Sequence, residues 1–342
     1  MDLQLARRLA ALVRATYAAD PAAAAMALGA ERADVFRTRR FLGLVVSGPG
    51  GVCIAFRGTR LEMASRDVFL GSLGAWVANL DFVQTLVGNL RVHRGWHAEY
   101  AAAEPEILAL AKEHGAGERP LWLAGHSAGG ALAIIAAPAL ISAGVPVRGV
   151  LSMAAPRVGD KAFAAAYPVP VLRLERRHDP IPHLPLPPSL ARALGLAGLD
   201  PLIGAFSRMR KATVDYRVGG TEYVHVGTLW YDDGRSLLLR LPDGAALGYG
   251  RRLKAELSKD LLRRDVPALP PVPEHPPWLT PVPGLVMDAI RLPATAAAIV
   301  KQVRSGRRDF LLDHHIDAAA IGVDRAAAAS GADIPSLWSA RT

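Results

Sequence analysis

Residues 120–147 contain no Asp, Glu, Lys or Arg, and this uncharged run constrains the fold more than any other part of the chain. A run of this length is long enough to cross a bilayer. Glycine and proline nevertheless interrupt it at Gly125, Gly129, Gly130, Pro138 and Gly144. It therefore predicts a buried strand over 120–125, a turn, and a helix from about Ala128 to Ala143, rather than a transmembrane segment.

Strand-like and helix-like segments alternate on both sides of this run. Residues 39–59 form two apolar runs around the sequence GPGG, which predicts a hairpin. The remaining predicted elements are a helix over 95–115, buried strands over 147–156 and 170–177, a short helix over 159–167, and a terminal strand pair within 221–241. This alternation indicates an α/β fold with a mostly parallel central sheet, flanked by helices and joined by right-handed crossovers.

The chain has 342 residues, enough for one large domain or two small ones. No internal repeat or second domain is recognisable, so a single domain over 1–342 is predicted, with its motif-bearing core at about 40–320. Two insertions are expected, at 186–215 and 250–305. The second is C-terminal and contains the proline-rich stretch 267–283, which predicts an extended arm followed by helical pieces.

Composition narrows the function classes. Apolar residues make up 51% of the chain and charged residues 21%, which is typical of a globular protein. The net charge of +9 favours anionic surfaces such as phospholipid headgroups. The arginines are scattered, without the basic and aromatic stripe of a nucleic-acid-binding protein, so no nucleic-acid partner is expected. Cys53 is the only cysteine, which rules out an intrachain disulfide.

The first twenty residues predict an amphipathic helix. An acid at position 2 and Arg14 within the apolar part do not fit a signal peptide, and no clean cleavage pattern follows. A cytoplasmic location is therefore expected.

The turn predicted after residue 125 carries the sequence Gly-His-Ser-Ala-Gly, which fits the pattern Gly-x-Ser-x-Gly and centres on Ser127. In a sharp strand-to-helix turn, glycines at both flanking positions avoid collisions with the neighbouring strand and helix. The serine hydroxyl then projects at the helix N-terminus, where backbone N–H groups can receive an oxyanion. The pattern alone also fits a small residue in a buried glycine-rich turn, but its place between a strand and a helix favours a nucleophilic serine.

Seven short motifs, one of which contains this serine, follow one another along the chain. They are AFRGT (55–59), VHRGW (92–96), GHSAGGALA (125–133), AAPRVGD (154–160), DPIPHLP (179–185), HVGTLWY (225–231) and DHHID (313–317). Over about residues 40–320 they resemble the class 3 lipases, the family of fungal triacylglycerol lipases and their bacterial and plant relatives. The resemblance implies an α/β-hydrolase fold, a carboxylic ester substrate and Ser127 as the nucleophile.

The resemblance also implies the partners of the serine. Asp179 matches the acid that orients the catalytic histidine, although elsewhere an aspartate before proline would be interpreted as a turn residue or an N-cap. The adjacent His314 and His315 are candidates for the base; similarity to bacterial members favours His314, with His315 as the alternative. His126 is expected to pack beside the serine without a catalytic role, and His225 to make a structural hydrogen bond.

Two donors are expected to stabilise the oxyanion. The backbone N–H of Ala128 follows the nucleophile directly and supplies one of them by position. The resemblance assigns the second donor to Thr59, which would donate through its backbone and its hydroxyl. Arg57 and Gly58 are expected to shape the loop that carries Thr59.

The segment that follows the FRGT sequence matches the place of a helical lid in the family. Residues 60–78 occupy it here, and Phe69, Leu70 and Trp76 are candidate substrate-binding side chains. An apolar lid would expose a hydrophobic patch on opening, which suits contact with a lipid interface. The same residues also fit an ordinary packing loop.

Together these features predict a serine hydrolase that acts on lipid esters through an acyl-enzyme formed by Ser127, His314 and Asp179. The expected partner is a lipid ester, with peripheral contact to lipid interfaces and no transmembrane segment. No cofactor or metal is expected to take part. The alternatives are a carboxylesterase for small soluble esters and a lipid-surface binding protein without turnover.

Overall fold

The computed structural model describes residues 3–38, 40–59, 83–176, 179, 181–185, 223–232 and 238–241, together with Ile316, Ala320, Val323 and Asp324. The predicted lid (60–78), both insertions, the proline-rich arm, His314 and His315 lie outside these residues.

The strands are β1 (Arg32–Arg37), β2 (Leu42–Gly48), β3 (Gly51–Phe56), β4 (Gln84–Val87), β5 (Leu90–His93), β6 (Leu121–His126), β7 (Val147–Met153), β8 (Val171–Arg176), β9 (Thr228–Asp232) and β10 (Leu238–Leu241). Within the described residues, eight of them form one sheet in the order β1-β2-β3-β6-β7-β8-β9-β10, and β4 and β5 form a separate hairpin. Strands β3, β6, β7, β8 and β9 run parallel, and the pairs β1–β2, β2–β3 and β9–β10 are antiparallel. The predicted mostly parallel sheet is therefore confirmed.

Among the described residues, the α-helices with defined bounds are α1 (Leu3–Ala15), α2 (Pro21–Ala27), α3 (Arg94–Glu113), α4 (Ala128–Ser142) and α5 (Lys161–Ala165), and a 3₁₀ turn covers Ile181–His183. Helices α3, α4 and α5 connect successive parallel strands from β3 to β8, as expected for an α/β fold. Helix α4 is apolar on all sides and almost wholly buried, which explains the missing charges in this part of the chain.

The two faces of the sheet support separate apolar clusters. In β3, the alternate residues Val52, Ile54 and Phe56 join the cluster that contains α3 and α4. Cys53 and Ala55 point the other way, into the cluster that contains α1 and α2. The chain is therefore an α/β-hydrolase-type sandwich in which both faces of the sheet are covered.

The sequence analysis overlooked three elements. Helix α2 begins with Asp20 as its N-cap, whose carboxylate accepts a hydrogen bond from the Ala23 N–H (3.0 Å), and has Pro21 at its first position. These two residues are a recognisable helix-start signal. The alternation of apolar and polar residues is weaker in β1 and in the β4–β5 hairpin. Strand β1 is an edge strand of the main sheet, and the hairpin does not belong to that sheet.

Among the described residues, no helix is long and apolar enough to span a membrane.

Candidate active site

Ser127 occupies the junction between β6 and α4, where the chain reverses direction sharply. Its backbone has φ 56° and ψ −127°, its N–H donates to the Met153 carbonyl (2.8 Å), and its own carbonyl accepts from the Gly130 N–H (3.0 Å). A positive φ in a residue other than glycine costs about 1–3 kcal/mol and persists only where the surroundings enforce it. The serine is therefore held in a strained turn at the N-terminus of a buried helix.

The glycines around Ser127 allow this turn to form. A Cβ on Gly125 would lie 2.1 Å from the Gly129 carbonyl oxygen, and a Cβ on Gly129 would lie 2.3 Å from the Phe56 carbonyl oxygen. No side chain fits at either position without a backbone shift. The first turn of α4 therefore packs directly against β6 and against the end of β3.

The loop after β3, residues Arg57–Thr59, lies against the serine. A Cβ on Gly58 would lie 2.6 Å from the His126 carbonyl oxygen and 2.9 Å from the Ser127 Cβ. The Thr59 hydroxyl oxygen is buried and has no hydrogen-bond partner within the described part of the chain. The loop therefore lies beside Ser127, at the N-terminus of α4, where a helix presents backbone N–H groups.

Tyr17, which the sequence analysis did not identify, connects this loop to the residue before the serine. Its hydroxyl lies 2.8 Å from the Nδ1 atom of His126 and accepts a hydrogen bond from the Gly58 N–H (2.9 Å). His126 is buried beside the serine, as expected from the sequence. No local sequence signal marks Tyr17, because its partners are 41 and 109 positions away along the chain.

Asp179 lies just beyond the carboxyl end of β8 and is only 1% exposed. Its carboxylate accepts a hydrogen bond from the Ile181 N–H (2.9 Å), and its own N–H donates to the Arg176 carbonyl (3.0 Å). Since β6 and β8 are parallel members of one sheet, Ser127 and Asp179 share its carboxyl edge.

The loop after Asp179 is anchored by Arg157, one of the largest fully buried side chains among the described residues. The Arg157 N–H donates to the Leu184 carbonyl (2.8 Å), and its guanidinium donates to the Pro185 carbonyl (2.5 Å). Arg157 lies in the AAPRVGD motif, so this motif and DPIPHLP meet in space.

A second strained residue lies at the same edge of the sheet. Ala154 follows β7 with φ 52°, and its N–H donates to the Leu174 carbonyl of β8 (2.8 Å). Strained backbone tends to concentrate at functional sites, where the surrounding packing maintains it. Its occurrence here and at Ser127 marks this edge as the candidate active site.

Part of the predicted site lies outside the described residues. This part consists of the two candidate bases and the three candidate substrate-binding side chains, His314, His315, Phe69, Leu70 and Trp76. The Nε2 atom of His225 lies 3.6 Å from a carboxylate oxygen of buried Glu175. Among the described residues, no group of three or more His, Cys, Asp or Glu side chains could hold a metal ion.

The described geometry suits nucleophilic attack on a carbonyl group. A serine at a helix N-terminus can form a tetrahedral adduct whose oxyanion is stabilised by backbone N–H groups of that helix.

Part of this chain is similar in sequence to known proteins. A sequence model of the family described as Lipase (class 3) matches residues 53–188. Phospholipase A1-II 4 of Oryza sativa subsp. japonica is 28% identical over 165 residues, which are 39% of this chain and 39% of the rice protein. The chain thus matches about two fifths of the length of this relative.

Solved structures of fungal lipases are also similar to this chain. The triacylglyceride lipase of Rhizomucor miehei is 21% identical, with a TM-score of 0.40, over 58% of this chain and 66% of that structure. A mutant form of MDLA from Penicillium cyclopium is 22% identical, with a TM-score of 0.45, over 71% of this chain and 81% of that structure.

The family match begins in β3 and ends just after the 3₁₀ turn. It includes Thr59, Ser127 and Asp179, and its residues 60–82, 177, 178, 180 and 186–188 lie outside the described ones. The sequence of residues 53–188 is therefore similar to that of the class 3 lipases.

Proposed function

We propose that this protein hydrolyses carboxylic esters of lipids through an acyl-enzyme intermediate. The observation that carries the proposal is the strained backbone of Ser127 at the start of α4, directly against the loop that carries Thr59. The match of residues 53–188 to the class 3 lipase model and the similarity to a phospholipase support the same reaction class.

In the proposed mechanism, the Ser127 hydroxyl attacks the ester carbonyl while His314 takes its proton. Asp179 orients the imidazole and stabilises its positive charge, and the N–H of Ala128 and the donors of Thr59 stabilise the oxyanion. His314 then passes the proton to the leaving alcohol. Water, activated by the same histidine, hydrolyses the acyl-enzyme and releases the acid.

His314 lies outside the described residues, and the support for its role as the base comes from a neighbouring residue. Ile316, two positions further along, is buried in the same cluster as Met153 and Leu174, whose carbonyls accept hydrogen bonds from Ser127 and Ala154. The burial of Ile316 in this cluster supports the choice of a base from the same motif. His315 remains the alternative base.

The proposed substrates are acylglycerols or phospholipids. The name of the rice relative states hydrolysis of a phospholipid ester, and the net charge of +9 favours anionic lipid surfaces. A carboxylesterase for small soluble esters and a non-catalytic lipid-binding protein are the competing functions.

The decisive experiment combines a fluorophosphonate label with a series of p-nitrophenyl esters from acetate to palmitate. We expect the wild-type protein to be labelled on Ser127 and to hydrolyse the longer esters, and Ser127→Ala to lose both activities while remaining folded. The loss of turnover is expected to exceed a thousandfold. Ser142→Ala, at the exposed end of the same helix, is the matched control.

The outcomes separate the three functions. Hydrolysis confined to the short esters would favour a carboxylesterase. Binding to vesicles without labelling or turnover would favour a lipid-binding protein. Parallel assays on triacylglycerol and phosphatidylglycerol then identify the lipid class.

Two further variants identify the catalytic base. His314→Ala should be nearly inactive, and His315→Ala should retain substantial turnover. The reverse ranking would assign the base to His315.

A further inference from the structure

The hydroxyl of Tyr17 lies between two separate parts of the candidate active site. It accepts a hydrogen bond from the Gly58 N–H at 2.9 Å and lies 2.8 Å from the Nδ1 atom of His126. Gly58 precedes the predicted oxyanion donor Thr59, and His126 precedes the nucleophile. One side chain therefore contacts the neighbours of both functional residues.

The hydroxyl of Tyr17 links its two partners. The Gly58 amide can only donate, so the phenol oxygen accepts from it. The same hydroxyl shares a hydrogen bond with Nδ1 of His126, in which the tautomer of the imidazole sets the donor. Gly58, Tyr17 and His126 therefore form a continuous chain of hydrogen bonds.

The segment around Tyr17 is itself held in place. The N–H of Tyr17 donates to the Arg14 carbonyl (3.0 Å) in a turn that ends α1, and the Arg57 guanidinium donates to the Thr16 carbonyl (3.4 Å). The Tyr17 ring also packs edge-on against the His126 ring, with centroids 5.9 Å apart. Helix α1 contributes to the core cluster on this face of the sheet, so the tyrosine projects from a packed element.

The space around Gly58 makes this arrangement sensitive to small shifts. A Cβ on Gly58 would come within 2.9 Å of both the Tyr17 hydroxyl and the Ser127 Cβ. The loop thus has little freedom to approach the serine more closely. The phenol hydroxyl is the acceptor of the Gly58 amide, so its removal would take away this hydrogen bond between the loop and the residue before the serine.

We infer that Tyr17 is a positioning residue for transition-state stabilisation: it fixes the oxyanion loop at Gly58–Thr59 relative to the elbow at His126–Ser127. The inference rests on the proposed function, because it assigns a role within the same site. Oxyanion donors act only when they are held at the correct distance from the developing charge. Tyr17 therefore affects the catalytic step rather than substrate binding.

The test compares Tyr17→Phe with Tyr167→Phe. Both variants lose one phenol hydroxyl from a partly buried ring. The Tyr167 hydroxyl, however, donates to the carbonyl of Ile134 (2.8 Å), which lies further along α4 than the turn that carries Ser127. We expect Tyr17→Phe to lower kcat on a soluble p-nitrophenyl ester about ten- to a hundredfold with little change in KM. Tyr167→Phe should leave kcat unchanged. The two variants should lower the melting temperature by similar amounts, because each loses one hydrogen bond of a phenol hydroxyl.

A second pair of variants changes His126, the other partner in the hydrogen bond with Tyr17. His126→Asn keeps a hydrogen-bonding group near the position of Nδ1 and should retain most of the activity. His126→Leu removes that group and should lose about as much as Tyr17→Phe. The double variant Tyr17→Phe/His126→Leu should be no worse than either single variant, because both interrupt one chain of hydrogen bonds.

Amide hydrogen exchange at Gly58 supplies a measurement that does not depend on turnover. Exchange should be faster in Tyr17→Phe than in the wild type and unchanged in Tyr167→Phe. An unaltered kcat in Tyr17→Phe, or equal exchange at Gly58, would overturn the role of Tyr17. Absence of ester hydrolysis in the wild-type protein would instead contradict the proposed function, and the exchange data would still decide whether Tyr17 holds the loop.

Discussion

At the scale of single residues, the candidate site is built from backbone strain and close approach rather than from charge. Ser127 and Ala154 both adopt positive φ at one edge of the sheet. Glycines at 125 and 129 leave no room for a side chain beneath the turn. The strain at Ser127 costs stability and is balanced by the surrounding packing, so the hydroxyl is oriented before substrate binds.

The buried hydroxyl of Thr59 allows catalysis and stability to be separated. Thr59→Val keeps the shape of the side chain and removes the hydroxyl, so we expect kcat to fall about a hundredfold if that group donates to the oxyanion. The melting temperature should be unchanged or higher, since a buried hydroxyl without a partner in the described structure contributes no stability.

Thr59→Ser, which keeps the hydroxyl, is the control and should retain activity within a few-fold of wild type. The measurement is kcat on a soluble ester beside a thermal unfolding curve. Full activity in Thr59→Val would restrict oxyanion stabilisation to backbone N–H groups.

At the scale of elements, hydrogen bonds of His114 connect the C-terminal end of α3 to the edge of the sheet. It is the C-cap of α3, and its side chain is fully buried. Its Nε2 atom lies 2.8 Å from the Asp34 carboxylate in β1, and its Nδ1 atom lies 2.9 Å from the Ser47 hydroxyl in β2. Since a carboxylate can only accept, the neutral ring donates from Nε2 and accepts from Ser47 at Nδ1.

Burial lowers the pKa of His114 more than the nearby Asp34 raises it. Because the folded pKa lies below the unfolded value of about 6.5, the unfolded state binds a proton first as the pH falls. The free energy of unfolding should therefore decrease between pH 7 and pH 5, by at most about 1.4 kcal/mol per pH unit from this group.

His114→Gln should flatten this part of the pH profile, and chemical denaturation at several pH values measures it. His97→Gln, elsewhere on α3, leaves the His114 contacts intact and is the control. If His114→Gln kept the wild-type slope, another group would be responsible for the loss of stability.

The pKa of Asp34 adds a separate effect at lower pH. Burial is the largest single influence and raises it, but the hydrogen bond from His114 and the charge of Arg32 together lower it below its ordinary value. The stability that Asp34 contributes is present above its unfolded pKa and is lost as the pH falls through the folded value. The two groups therefore weaken the same junction in successive pH ranges.

At the scale of the whole molecule, residues far apart in the sequence complete one face of the sheet. Ile316 and Val323 are buried in the cluster that contains α1, and the Arg7 guanidinium pairs with the Asp324 carboxylate at 2.8 Å. The described residues near both ends of the chain thus pack together, on the side of the sheet from which Tyr17 reaches the candidate site.

The predicted lid at 60–78 also belongs to this scale, because it concerns contact with a lipid surface. If it covers the cleft, activity on a long-chain ester should rise steeply once the substrate exceeds its solubility, since an interface binds the open form and shifts the population. Burial of Phe69, Leu70 and Trp76 in lipid would contribute several kcal/mol, at about 25 cal/mol per Å².

Trp76→Asp should then reduce activity on aggregated substrate far more than hydrolysis of a monomeric short-chain ester. Rate measurements below and above the solubility limit, with both proteins and both esters, provide the comparison. Equal losses on the two substrates, or no change of slope at the solubility limit, would favour a packing loop and a plain esterase.

The sequence by itself determined the order and type of the main elements and the position of the serine. Alternating apolar runs, the GPGG turn and the uncharged segment around Ser127 are local patterns, and the strands, the hairpin and α4 followed them closely. The elbow was predictable because its geometry requires glycines at fixed spacing, and these are visible in the sequence.

Only the tertiary structure decided which distant residues support the site. The contact of Tyr17 with Gly58 and His126, the anchoring of the loop after Asp179 by Arg157, and the burial of His114 depend on how α1, α3 and the sheet pack. Such contacts leave no local pattern, because the free energy that forms them comes from burying whole faces of helices and strands. A tyrosine at the end of a helix is compatible with many environments, and packing of α1 against the sheet placed this one beside His126 and Gly58.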